Sequence, residues 1–556
     1  MTELPETQYA VQLVGPDELV LNRSKNVPRP GPYQILCRVE AVGLCFSDLK
    51  LLKQFSSHVR KGPVLSGIDP DVLKEVPSYV PGQAPTVPGH EVVVRVEEAG
   101  PAVRLAKSGE RFLVQTDYRW LRTATSNGAF GYNFEGALAE YVLMDERVIT
   151  SPDGDSMLLP VGEELSGSAV ALVEPWACVE DAYVSTERTG IKANGHMLVV
   201  ADTQITEETF RDLFARFGKP GRITRISKTP PTDEFDIEIE AVANVEGLAD
   251  AGFDDVIYFG SAPEVVEALF GKIAGRGLLN IVLCGGKFGR PVTATVGRIH
   301  YGGIRIIGTI GSNPAESMEI IPETDEIRPG DKINVIGAGG PMGMMHVIRN
   351  ICQGVEDVSV FASDVDDGRL AALSKIAAPL AQKNAVEYKP YNPTKEQTAE
   401  AFDYTALMAP VPALVAAAVH GAAERGLINI FAGIPATVTG QIDLDAYIAK
   451  RLYFIGTSGS TLDDMKRMLT KVESGRLDTN VSVAAVSGLE GATDGIRAVE
   501  NRLIAGKIIV YPACRNLGLV RLEEMDEKMP KVAKLLNDGL WTKGAEQKLL
   551  ETYSDS

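Results

Sequence analysis

FDDVIYFGSAPEVVEALFGKIAGRGLLNIVLCGG, Phe253 to Gly286, and FDYTALMAPVPALVAAAVHGAAERGLINIFAGIP, Phe402 to Pro435, are two versions of one stretch. Phe402 answers Phe253 and Gly426 answers Gly277, each 149 residues on, and Gly456 answers Gly308 at 148. Both versions run on to similar ends, IIGTIGSN from Ile306 and FIGTSGST from Phe454. Shared order and spacing over this length mean a duplicated domain, not chance.

Each copy opens on a short apolar run, HMLVVAD from His196 and KINVIGAG from Lys332. A helical stretch follows in both, then a second strand-like run, RITRIS or VSVFASD. Continuous apolar strands alternating with helices predict a parallel sheet covered on both faces. The fold class is therefore α/β, with two doubly wound domains in tandem.

The copies diverge where a ligand would sit. The second has INVIGAGGPMGMMHVIRN, with Gly337, Gly339, Gly340, Pro341, Met342 and Gly343 between strand and helix. Glycines there let the backbone turn sharply and approach a pyrophosphate at the helix N-terminus. Asp364 ends the next strand 21 residues after Gly343, about where a carboxylate holds the ribose hydroxyls of NAD. Arg369 joins the same cofactor-binding set, and the loop carries one residue more than strict GxGxxG. The first copy reads VVADTQITEETF, without glycine and with Asp202, Glu207 and Glu208 around the equivalent place. Carboxylates cap a helix well but compete with phosphate, which leaves two readings: a degenerate structural domain or an altered nucleotide site.

Composition narrows the class further. The 556 residues carry 55 Lys+Arg against 74 Asp+Glu, a formal charge of −19, which disfavours nucleic acid and anionic membrane as partners. No apolar run reaches the roughly 18–20 residues of a membrane span, and MTELPETQYAVQ lacks the marks of a signal peptide. Six scattered cysteines without CxxC pairs fit a reduced compartment. The expectation is a cytoplasmic enzyme.

Before the repeat, the sequence is rich in short strands and turns. It holds AVGLCFSDLKL with Cys45, Ser47 and Asp48, TVPGHEVV with His90 and Glu91, and ALVEPWACVEDAY with Glu174. A catalytic zinc site takes about three S, N and O ligands plus an open position. Cys45, His90 and a carboxylate from Glu91 or Glu174 supply such a set.

CFSD, GHE, EGALAEYV (Glu135 to Val142) and LVEPWACV, in this order ahead of a Rossmann unit, resemble the zinc-containing medium-chain dehydrogenase/reductase superfamily. The likeness is to its sorbitol-dehydrogenase-like and sugar-phosphate branch, over about residues 8–185 and 329–515. It implies a GroES-like β-rich catalytic domain beside the two Rossmann-like domains. It also implies metal positions at Cys45, His90 and Glu174, with Glu91 the acidic neighbour that ligates or exchanges with water. Asp48 matches the carboxylate that orients the His, and Ser47 the hydroxyl that relays the substrate proton. Lys50 stands where many relatives have a relay His. The family's four-cysteine structural-zinc lobe is absent, since no cysteine lies between Cys45 and Cys178, so one catalytic zinc and no structural zinc is expected.

The expected domains are 1–188 (catalytic, N-terminal part), 189–328 (degenerate Rossmann-like), 329–461 (NAD-binding) and 462–556 (return to the catalytic domain and a helical tail). The expected activity is zinc-dependent, NAD(H)-linked interconversion of a secondary alcohol and a ketone on a polyol, sugar or sugar phosphate, in a homo-oligomer. Two alternatives accompany it: a redox-neutral epimerase or isomerase with tightly bound NAD, and a regulatory or oligomerisation role for the first Rossmann copy. The long Cys45–His90 interval predicts a covering loop or a subunit contact. Tyr118, Arg119, Arg122 and Asn133, in the segment replacing the structural-zinc lobe, are candidates to reach a hydroxylated or phosphorylated substrate. The tail from Arg521 reads as a surface or subunit-contact helix.

Overall fold

The computed structural model describes residues 4–228, 235–457 and 459–554. They fall into two units, a split one of residues 1–177 and 460–556 and a nested one of residues 178–459.

The split unit is built on an eight-stranded sheet. Its order runs Val520–Arg521, Val483–Ser487, Lys507–Val510, Gln34–Gly43, Glu91–Ala99, Arg111–Val114 and Leu158–Pro160, with Tyr141–Asp145 also paired to Gln34–Gly43. The two central strands, QILCRVEAVG and EVVVRVEEA, are β-branched and apolar along most of their length, and Ile35, Val39, Val42, Val92 and Val94 are buried in one core. Gly43 and Glu91 are directly paired across these strands. A Cβ on Gly43 would lie 2.2 Å from Glu91 Oε2, so a glycine here makes room for the carboxylate.

The tail, expected as a surface or subunit-contact helix, packs into this unit through its apolar residues. Trp541, Ala545 and Leu549 are buried, and Glu546 accepts from the Gly167 and Ser168 N–H groups at 2.5 and 2.9 Å. It thereby satisfies amides at the start of the helix Gly167–Ala171. The tail's charges gave it a surface reading, but its apolar residues fall on one side and dock.

The nested unit contains two six-stranded parallel sheets of identical order. One runs Glu238–Ala241, Arg222–Ser227, His196–Ala201, Phe253–Phe259, Ile273–Val282, Arg305–Thr309. The other runs Glu387–Tyr391, Ser359–Ser363, Lys332–Ile336, Phe402–Leu407, Ala422–Ile430, Tyr453–Ile455. The fold is thus the α/β architecture expected, with two doubly wound sheets and a β-rich domain. The two copies are not independently cored. Leu198, Ile281 and Ile306 of the first share one apolar cluster with Ile428, Ile448 and Phe454 of the second. Among the described residues no helix is long and apolar enough to cross a membrane.

Candidate metal centre and dinucleotide loop

Cys45 ends the turn after a central strand and is the N-cap of the helix Phe46–Gln54. Its N–H donates to Asp48 Oδ2 at 3.0 Å, while Asp48 Oδ1 lies 3.1 Å from His90 Nδ1. One buried carboxylate therefore fixes both the helix start and the imidazole, leaving His90 Nε2 to face Cys45. Ser47 Oγ donates to Cys45 Sγ at 3.0 Å and lies 3.0 Å from His90 Nε2. Ligand atoms of Cys45, His90 and Glu91 lie within 4.8 Å of one another.

Glu91 is fully buried. Its Oε1 accepts from Lys507 Nζ at 2.5 Å, while Oε2 has no hydrogen-bond partner among the described residues. Lys507 also donates to the Leu44 carbonyl at 2.9 Å. Burial alone disfavours the Lys507 charge, but Glu91 and Cys45 outweigh it and hold the ammonium above its usual range. His90 follows the same pattern: burial opposes its charge, and the Asp48 carboxylate lifts it well above an ordinary imidazole. Glu174 opens the helix Val173–Val184 and lies outside the Cys45–His90–Glu91 group. Burial pushes it up to about 7, with His90 opposing and Glu91 adding to the rise. A thiol, an imidazole and an orphaned buried carboxylate oxygen are a donor set that suits zinc.

Sequence reasoning missed Lys507 and Tyr132. Lys507 begins the strand in AGKIIVYP, and its charge inside an apolar strand was the available signal. The Tyr132 ring lies 5.7 Å from that of His90, and its hydroxyl hydrogen-bonds with Ser47. His58, from the long Cys45–His90 interval, stacks on Tyr132 at 5.1 Å, and Arg60 lies 5.6 Å over the same ring. Burial, then the Arg60 and Lys50 charges, push His58 down to about 4. This interval is anchored by buried Lys61, which donates to the carbonyls of Val80 and Ala84. Of the four polar candidates downstream, Tyr118 and Asn133 point inward; Asn133 accepts from Ala129 N–H and donates to the Gly62 carbonyl. Arg122 is exposed. Arg119 pairs with Asp117 at 3.2 Å, and Arg60 pairs with the same carboxylate at 3.3 Å.

In the nested unit, Gly337 has φ 84°, in the left-handed region that favours glycine. A Cβ on Gly343 would lie 2.2 Å from the Gly337 carbonyl oxygen, so the helix Pro341–Cys352 sits directly against the loop. The extra residue is absorbed at the helix start, where Gly340 is the N-cap and Pro341 takes the first turn ahead of Met342. Asp364 Oδ2 accepts from Gly339 N–H at 2.9 Å, and Arg369 lies beside Gly339, whose Cβ would be 2.5 Å from that of Arg369. Backbone amides, glycines and a strand-end carboxylate form a cradle that suits a dinucleotide.

Residues 31–153 match the alcohol dehydrogenase GroES-like domain family. The chain is 26% identical over 269 residues to the uncharacterized protein YggP of Escherichia coli (strain K12), covering 45% of this chain and 63% of that protein. It is 23% identical over 274 residues to a mannitol-1-phosphate 5-dehydrogenase of Aliivibrio fischeri, covering 45% and 64%. The chain thus spans less than two thirds of the length of these curated relatives. Among solved structures, 2R,3R-butanediol dehydrogenase from Bacillus subtilis aligns with TM-score 0.51 and 16% identity, over 91% of this chain and all of that one. Residues 31–153 are therefore a GroES-like domain of the alcohol dehydrogenase kind.

Proposed function

We propose that this chain is a zinc-dependent, NAD(H)-linked oxidoreductase that interconverts a secondary alcohol and a ketone on a phosphorylated polyol or sugar. The observation that carries the reading is the convergence of Cys45, His90 and Glu91 donor atoms within 4.8 Å in a GroES-like domain. Cys45, His90 and a carboxylate, Glu91 or Glu174, would hold the metal, and Gly337 to Gly343 with Asp364 and Arg369 would hold the cofactor. When bound, zinc supplies a Lewis acid that lowers the alcohol pKa, and the nicotinamide accepts or returns the hydride. Ser47 would relay the substrate proton, accepting it as its own hydroxyl proton passes outward to solvent, since that hydroxyl stands beside the Cys45 and His90 ligand atoms. Asp48 keeps the imidazole in one orientation, and Lys507 holds Glu91 in place.

Substrate charge follows from the Asp117 cluster. Two guanidiniums, Arg60 and Arg119, share one carboxylate, which leaves a net positive charge. Arg60 packs over Tyr132, and Tyr132 packs on His90. A polyol phosphate meets that charge, and similarity to a dehydrogenase of mannitol 1-phosphate agrees with it. The test combines metal analysis with matched scans of polyols and their phosphates, following reduced nicotinamide by absorbance. Expected are about one zinc per chain, lost in C45A/H90A, and faster turnover of the phosphorylated member of each pair. Zinc absent from the wild type, or retained in the double variant, would overturn the reading. Turnover without added NAD and without NADH accumulation would instead support the epimerase.

A further inference from the structure

The two copies in the nested unit meet by a rule that a chance contact between neighbouring domains would not obey. The strand Val292–Ala294 pairs antiparallel with Gly440–Ile442, Thr293 standing opposite Gln441. Gln441 is the repeat equivalent of Thr293, 148 positions on, so an element pairs with its own copy, and Val292↔Ile442 and Ala294↔Gly440 exchange places about that centre. The same offset relates the contacts around it. A Cβ on Gly308 would lie 2.7 Å from Ile448 Cγ1, and a Cβ on Gly456 would lie 3.1 Å from His300 Cα; Gly456 is the equivalent of Gly308 and Ile448 of His300. Gly297 backs onto Pro435 and Ala436, while its equivalent Asp445 accepts from the N–H groups of Phe288 and Gly289. The helix Val296–Gly302 packs on the edge strand Tyr453–Ile455, and the helix Leu444–Ala449 on the edge strand Arg305–Thr309. Residue i touching j while the copy of j touches the copy of i is the signature of a two-fold interface between identical subunits.

The first copy has at the same time closed the place where a nucleotide would enter. Tyr258 Oη donates to Asp202 Oδ2 at 2.5 Å and accepts from Ala262 N–H at 2.9 Å, across the carboxyl ends of two central strands. A buried phenol and a carboxylate thus hold the ground that glycines hold in the second copy.

We infer that the first Rossmann copy is this chain's built-in second subunit: it binds no dinucleotide, and it covers, within one chain, the sheet edge that a partner molecule would otherwise cover. One cofactor site per chain follows. The site count rests on the NAD(H) reading above; the interface does not.

The test is the full-length T293C/Q441C variant, whose paired Cα positions across an antiparallel ribbon lie within disulfide reach. Oxidised, it is expected to give a single cross-linked chain of 59.7 kDa, with each single-cysteine variant as control. Covalent dimers, or two thiols left free, would overturn the in-chain pairing. NADH titration of the wild type is expected to give one site per chain, and two sites would overturn the closed first copy. Absence of NADH binding would sink the dehydrogenase reading and leave the cross-link to decide the pairing.

Discussion

Glu91 and Lys507 are 0% and 6% exposed, and the carboxylate has a second oxygen with nothing to bind among the described residues. Removing one member of a buried ion pair leaves an uncompensated charge, typically at about 3–5 kcal/mol. Lys507→Ala should therefore lower the thermal midpoint sharply in protein stripped of metal, and less when zinc supplies the opposing charge; equal losses in both states would contradict this. A different carboxyl carries the pH dependence. Glu187 accepts from Arg305 at 2.7 Å and from the Tyr453 hydroxyl at 2.7 Å. Burial first, then the Glu187 charge, push neighbouring Asp325 up to about 9 against the pull of Arg305. The folded protein keeps that proton up to about pH 9, whereas the unfolded chain releases it near 3.8. The associated stability is full below 3.8 and is lost as pH rises towards 9, at no more than ~1.4 kcal/mol per pH unit. Asp325→Asn should flatten the denaturation free energy between pH 6 and 9; the same slope in variant and wild type would refute it.

At the scale of elements, the glycine loop discriminates between positions that look alike in sequence. Gly343→Ala forces a Cβ to 2.2 Å from the Gly337 carbonyl, so loop and helix must separate, whereas a Cβ on Gly340 lies 3.7 Å from the same atom. NADH affinity should fall at least about tenfold in Gly343→Ala, more than ~1.4 kcal/mol, and stay near wild type in Gly340→Ala; fluorescence titration reads both. The Cys45 and His90 positions were legible because their short motifs sit at strand and helix ends. Glu91 and Glu174 were not separable, because sequence does not say which oxygen turns towards a thiol 46 or 129 residues away. Lys507 reaches Glu91 across 416 residues, and only the pairing of strands at the two chain ends brings it there.

For the whole molecule, the shared core of the two Rossmann copies makes them one cooperative body. Ile448 is buried against Gly308 of the other copy, and Ile448→Ala should cost about 2–5 kcal/mol. The loss should shift one calorimetric transition for residues 178–459; two separate transitions, only one of them moved, would contradict a common core. The duplication was plain in the sequence. That the copies meet about a two-fold was not, since a repeat fixes period and leaves docking to tertiary contacts.

The split unit has a further consequence during synthesis. Residues 178–459 lie wholly between its two halves, so they leave the ribosome after the first half and before the second. The N-terminal half waits with its central strand Gln34–Gly43 lacking Lys507–Val510 on one side, and with Glu91 lacking its ammonium. Only when Glu546 emerges are the Gly167 and Ser168 N–H groups at the helix start satisfied. The Cys45–His90–Glu91 group therefore gains its Lys507 partner late in synthesis, and a chain stalled after residue 459 has a sheet edge still waiting for its neighbour.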